Sequence, residues 1–144
     1  MKIIIPGDPV AMGRPKFTVQ HGYAQAYTPA KSREYKKRIE VCALEAKQMD
    51  QFWKESKPLT CYFSVEIEIF RDIPSSWKNL DKNKALNALL RPGKPDLDNY
   101  AKTILDGLNG IFWVDDAQVV ALTVSKWYDI SARAEVTIKT IRIN

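Results

Sequence analysis

From Cys61 to Ile69 every second residue is apolar, and Tyr62, Ser64, Glu66 and Glu68 alternate with them. That period of two is the pattern of a strand buried on one face, and Pro58 and Pro74 bound it. Earlier in the chain the period lengthens. Tyr35, Ile39, Cys42, Ala43, Ala46 and Met49 recur at helical spacing behind Thr28, a suitable N-cap, and Pro29, suited to the first helical position. Leu97, Ala101, Ile104, Leu105 and Leu108 repeat the helical period, and Asn109-Gly110 ends it. A shorter helix from Trp77 to about Leu90, capped by Ser75-Ser76, is weakened by Asn79, Asn83 and Asn87.

Further strands are expected at Lys2 to Ile5, Ile111 to Val114, Val119 to Tyr128 and Arg133 to Ile143. In the last of these the apolar phase slips between Ile138 and Ile141, which suggests a bulge. His21 lies in a polar, hairpin-like stretch with Gly22. The pattern as a whole predicts an α/β (α+β) chain with a mixed β-sheet and a few packed helices. At 144 residues, 45% apolar, it suits one domain over 1–144.

Charge narrows the function. Lys and Arg total 22 against 17 Asp and Glu, a formal +5, which favours a polyanionic partner. Lys31, Arg33, Lys36 and Lys37 crowd one helix, and Arg14 and Lys16 form a basic segment before it. Cys42 and Cys61 lack metal-ligand spacing and read as core thiols. A short apolar N-terminus and the lack of any run of membrane-spanning length point to a cytoplasmic protein with no membrane partner. With no Gly-rich phosphate loop, no nucleotide cofactor is expected.

Against this basic background, Lys94-Pro95-Asp96-Leu97-Asp98-Asn99 and Trp113-Val114-Asp115-Asp116-Ala117-Gln118 concentrate four carboxylates. Carboxylate oxygens are the donors Mg2+ accepts while keeping several waters. In extended backbone Asp96 and Asp98 would project to one side and share a cation; the bland alternative makes Asp98 a helix N-cap and Asp96 a turn residue. An EF-hand counted from Asp96 fails, because Tyr100 and Gly107 stand where acceptors are needed and Ala101 where Gly is needed.

These two segments, with Lys102 and Leu105-Asp106-Gly107-Leu108-Asn109-Gly110, resemble the signature of RusA-type Holliday-junction resolvases. The densest similarity covers about residues 91 to 120, and Tyr100 stands where an aliphatic residue is commoner. The resemblance implies a functional homodimer that binds four-way junction DNA in recombination and repair and makes paired symmetric cuts with Mg2+, or Mn2+ as substitute. It implies Asp96, Asp98 and Asp116 as metal-binding, catalytic carboxylates, Lys102 as a catalytic, basic residue near the scissile phosphate, and Asp115 as an assisting or structural carboxylate. DNA contacts are expected from Arg14, Lys16, Lys31, Arg33, Lys36, Lys37, Arg91 and Lys94. The alternatives are a metal-dependent nuclease for flaps, forks or RNA, and a non-catalytic junction-binding module.

Overall fold

The period-two segment becomes the centre of the sheet. The computed structural model describes residues 1–14, 16–27 and 29–141, with backbone alone at residues 20 and 25–27. In chain order the elements are β1 (Lys2–Pro6), β2 (Lys16–Gln20), β3 (Tyr23–Tyr27), α1 (Ala30–Met49), β4 (Tyr62–Asp72), α2 (Asn79–Leu86), α3 (Leu97–Leu108), a 3-10 turn at Asp116–Gln118, β5 (Val119–Asp129) and β6 (Arg133–Ile141). Four strands form one sheet in the order β1-β6-β4-β5, and β2 and β3 form a separate hairpin. β6 runs antiparallel to both β1 and β4, whereas β4 and β5 are parallel, with α2 and α3 in the connection between them. This is the mixed α+β architecture expected from the sequence.

One sheet face carries Ile3, Ile5, Phe63, Val65, Ile67, Ile69, Ala134, Val136 and Ile138, all buried. Tyr35, Ile39 and Ala43 of α1 and Tyr100, Ala101, Ile104 and Leu108 of α3 complete that core. Each fully buried side chain of this size contributes about 1.5–3 kcal/mol. α1 and α3 meet at Gly107, where an added Cβ would lie 2.8 Å from Ile39 Cγ2. Only glycine permits so close an approach. The opposite face bears a charged row, with Lys2 2.6 Å from Glu135, and Arg133 2.9 Å from Glu135 and 2.8 Å from Asp129.

Several expectations need correction. Thr28 lies outside the described residues, and Pro29 is the N-cap of α1 rather than its first helical residue. α2 is shorter than Trp77 to Leu90: Lys78 is its N-cap, and Ala88 at φ 60 carries the chain out of the helix. Ile111 to Val114 is a turn with isolated bridges at Trp113, because Gly110 N–H closes onto the Trp113 carbonyl at 2.9 Å. β6 pairs with β4 without interruption from Arg133 to Ile141; the register shift falls between β4 and β5, at Phe63/Ser64. Ile138 therefore faces the core and Ile141 pairs beside Tyr62 without a bulge in β6. Cys42 and Cys61 are free and half-buried against the core.

Candidate active site

α3 begins directly at the acidic motif. Asp96 is its N-cap with extended backbone, and Asp98 lies in its first turn. The two carboxylates therefore do not share an extended segment, as the sequence reading supposed, because the helix starts between them at Leu97. Neither fills the simple capping role: the Asp96 side chain makes no cap hydrogen bond. Instead Lys94 Nζ donates to both Asp96 carboxylate oxygens at 2.7 Å. That ammonium holds the Asp96 carboxyl below its usual range. Lys94, expected to bind DNA, is thus engaged within the motif, straddling the oxygens as a cation would.

The buried face of α3 comprises Tyr100, Ala101, Thr103, Ile104, Gly107 and Leu108. Asp98 and Lys102, one turn apart, are left together on the exposed side. Lys102 forms no ion pair with Asp98 or Asp106 among the described residues, so its ammonium remains available for a phosphate.

Two cations that sequence reasoning did not single out hold the motif from beneath. Lys126 of β5 donates to the carbonyls of Gly93 at 2.6 Å and Pro95 at 2.9 Å. Arg71, near the end of β4, donates to the Lys94 carbonyl at 3.3 Å and pairs with Asp8 at 3.6 Å. The ends of the parallel strand pair therefore present three successive carbonyls to two positive charges, which fixes the loop carrying Asp96. A lone lysine in an apolar strand gives little signal beyond its oddity at a core-facing register position, opposite Ile69.

Asp115 and Asp116 have different fates. The Asp115 carboxylate accepts from Ala117 N–H at 2.8 Å, and Gln118 Oε1 accepts from Asp115 N–H at 3.0 Å, a reciprocal capping box. Gln118 Nε2 also donates to the Leu59 and Cys61 carbonyls, each at 2.8 Å, anchoring this turn to the start of β4. Asp115 is therefore structural in this arrangement, while Asp116 is exposed.

Asp116 does not join Asp96 and Asp98 within one chain. Twelve residues of α3 span roughly 18 Å, and Asp116 follows the far end of that helix. Among the described residues no three His, Cys, Asp or Glu side chains gather at metal-binding distance. The expected three-carboxylate cluster is thus two carboxylates at one end of α3 and a third beyond the other.

The basic residues are distributed around the helical layer. Lys31, Arg33, Lys36 and Lys37 are exposed on α1, as is Arg14 before β2, and Lys16 opens that strand. Arg33 and Lys36 also line a pocket of about 210 Å3 with Met12, Ser32, Thr103 and Asp106, so α1 presents them beside α3. Arg91 stacks on Trp127, its guanidinium carbon 3.4 Å from the ring centroid, and donates to the Lys126 carbonyl at 3.0 Å. Its charge is held against the sheet edge near the motif.

An α+β protein with a mixed sheet and an exposed aspartate pair at a helix start is the class that this fold and site define. Residues 6–139 match the family model of endodeoxyribonuclease RusA, and the chain belongs to the RusA endodeoxyribonuclease family. It is also 38% identical over 144 residues to "Uncharacterized protein YqaN" of Bacillus subtilis (strain 168), covering 98% of this chain and 96% of that one. The family implies endodeoxyribonuclease activity and a DNA partner. No described helix is long and apolar enough to cross a membrane.

Proposed function

We propose that this protein is a Mg2+-dependent endonuclease that resolves four-way DNA junctions as a homodimer, Mn2+ being able to substitute. The observation that carries the reading is the exposed Asp96 and Asp98 pair at the start of α3, with Asp96 already paired to a cationic group. Hard carboxylate oxygens with open solvent beside them suit a cation that keeps several of its waters. When bound, such a cation would supply phosphate polarisation and a more acidic attacking water.

This chain's residues divide the remaining work. Lys126 and Arg71 hold the Gly93 to Pro95 carbonyls and so fix Asp96 relative to Asp98. Asp96 and Asp98 would hold the cation, and Lys94, which now occupies the Asp96 oxygens, would then be free to meet a DNA phosphate. Lys102, one helical turn beyond Asp98, faces the negative charge that develops on the phosphate. Arg14, Lys16 and the α1 cations bind backbone phosphates, which supply affinity and register rather than sequence preference.

A second copy completes the site. β5 is an edge strand, with Val120 and Leu122 exposed along it. Antiparallel pairing of two β5 edges about a two-fold axis would set the start of one strand beside the end of the other. It would bring Asp116 of a second copy toward Lys126 and the Asp96 loop that Lys126 holds. The same axis supplies two sites, one for each cut strand.

The first experiment incubates the purified protein with a labelled four-way junction, a flap, a fork and a linear duplex, with Mg2+ or EDTA. Paired Mg2+-dependent cuts on the junction, lost in Asp98→Asn with binding retained, are the expected result. Preferential cutting of flaps or forks would move the substrate. Binding without cutting would favour a non-catalytic module, a reading supported by the neutralisation of Asp96 by Lys94 and by Asp115's service in the capping box.

A further inference from the structure

The β2–β3 hairpin stands apart from the main sheet, and an isolated two-stranded hairpin is only marginally stable in water. His21 and Gly22, at φ 53 and 81, form its two-residue turn, a conformation that matches the twist of the strands. The pairing sets Phe17 opposite Ala26 and Val19 opposite Ala24, so these positions share one face of the ribbon. That face is apolar and open to solvent: Phe17 is 72% exposed and Val19 74%.

Two observations show what such a face would meet. First, no Asp or Glu occurs between Asp8 and Glu34, a stretch that contains Arg14, Lys16, Lys31 and Arg33. A second copy of this chain, itself at +5, would bring like charge to that segment, whereas nucleic acid brings the opposite charge. Second, the hairpin is rooted at the candidate site. Met12 N–H donates to the Asn99 carbonyl at 2.9 Å, one residue from Asp98, and Gly13 packs against Pro29 at the start of α1. From that root a five-residue strand reaches roughly 17 Å.

We propose that this hairpin is the element that enters the DNA branch point, with Phe17 and Val19 covering bases unstacked there while Arg14 and Lys16 hold the adjoining phosphates. Apolar side chains act in this way as wedges between base steps. Unstacking is easiest where pairing is already interrupted, so the same side chains would favour a branched substrate over a duplex. The inference rests on the DNA-junction reading above and assigns its substrate selectivity to residues remote in sequence from the acidic motif.

The test uses the full chain carrying Asp98→Asn, so that binding is read without cutting, and a junction with 2-aminopurine at the branch. Binding is expected to raise the fluorescence of the parent complex. Adding Phe17→Ser and Val19→Ser should abolish most of that rise and lower junction affinity roughly tenfold, with duplex affinity little changed. Phe17→Tyr should restore the signal. A variant that raises the fluorescence and prefers the junction as its parent does would overturn the proposal. So would a variant whose loss of binding tracks conversion to monomer in sedimentation, which would make the occupant a second copy. A wild-type chain that binds junctions with the fluorescent rise but cuts none would refute the nuclease reading alone.

Discussion

Lys126→Met separates the support of the acidic loop from its chemistry. Methionine keeps the apolar stem that packs along β5 and removes only the ammonium, which donates at 2.6 and 2.9 Å to the Gly93 and Pro95 carbonyls. Hydrogen bonds from a charged group are worth about 1.5–3 kcal/mol each. Here water can replace part of both, because Lys126 is half-exposed and Gly93 is open to solvent, so about 1–2 kcal/mol in total is the reasonable loss. Because Arg71 still holds the Lys94 carbonyl, the loop should loosen rather than unfold. If that cost falls on the geometry that Asp96 needs, single-turnover junction cleavage drops roughly tenfold, with a raised Mg2+ midpoint. Binding measured in EDTA should change far less. Amide exchange at residues 93, 94 and 96–98 should quicken while the β4 core stays protected. Cleavage within about twofold of wild type, with loop exchange unchanged, would refute the idea that Lys126 positions Asp96.

The remaining expectations bear on packing, charge and assembly. Gly107→Ala puts a Cβ 2.8 Å from Ile39 Cγ2; about 1–3 kcal/mol of overpacking against ~1 kcal/mol of helix propensity gained predicts a net loss in urea unfolding, and an unchanged midpoint would mean that α1 and α3 separate freely. Lys2 and then Arg133 hold the Glu135 carboxyl below its ordinary value of 4.5. Its contribution to stability is therefore complete above that value and lost as pH falls through the lowered one, so Glu135→Gln should be more destabilising at pH 7 than in strong acid, and a constant difference across thermal melts would argue against the pairing. Mixing inactive Asp98→Asn with inactive Asp116→Asn chains should restore Mg2+-dependent nicking of one strand, because one of the two sites in a mixed dimer keeps both aspartates. Failure to nick despite demonstrated subunit exchange would return Asp116 to a site within its own chain.

The core was legible where one face of an element is buried and the other is not. Phe63, Val65, Ile67 and Ile69 reach the core at strand period, as their alternation requires. The α3 stripe was legible too, although its centre lies at Tyr100, Ile104 and Gly107 and leaves Leu97 37% exposed. Legibility failed where the determinant is distant. The alanine and leucine run from Ala85 to Leu90 reads as helix, but the backbone turns at Ala88. Lys126 and Arg71 acquire their partners only when the crossover lays residues 93–95 over the strand ends. The role of Asp115, by contrast, was present in the sequence, since Asp followed three residues later by Gln is the pattern of a capping box.

The acidic motifs are the clearest case of proximity in sequence concealing distance in space. β4 and β5 are parallel, so the chain must travel back along the sheet before β5 can begin, and α3 makes that return. An aspartate at the start of the returning helix and another at the start of the next strand consequently lie at opposite ends of the layer. A three-carboxylate centre drawn from these residues therefore has to be closed by another chain, and a solitary chain would offer only Asp96 and Asp98, with Lys94 already on the former. On this reading assembly and chemistry are one event. Cutting competence would appear only when two copies meet, and it would appear as two symmetric sites, the number that resolution of a junction requires.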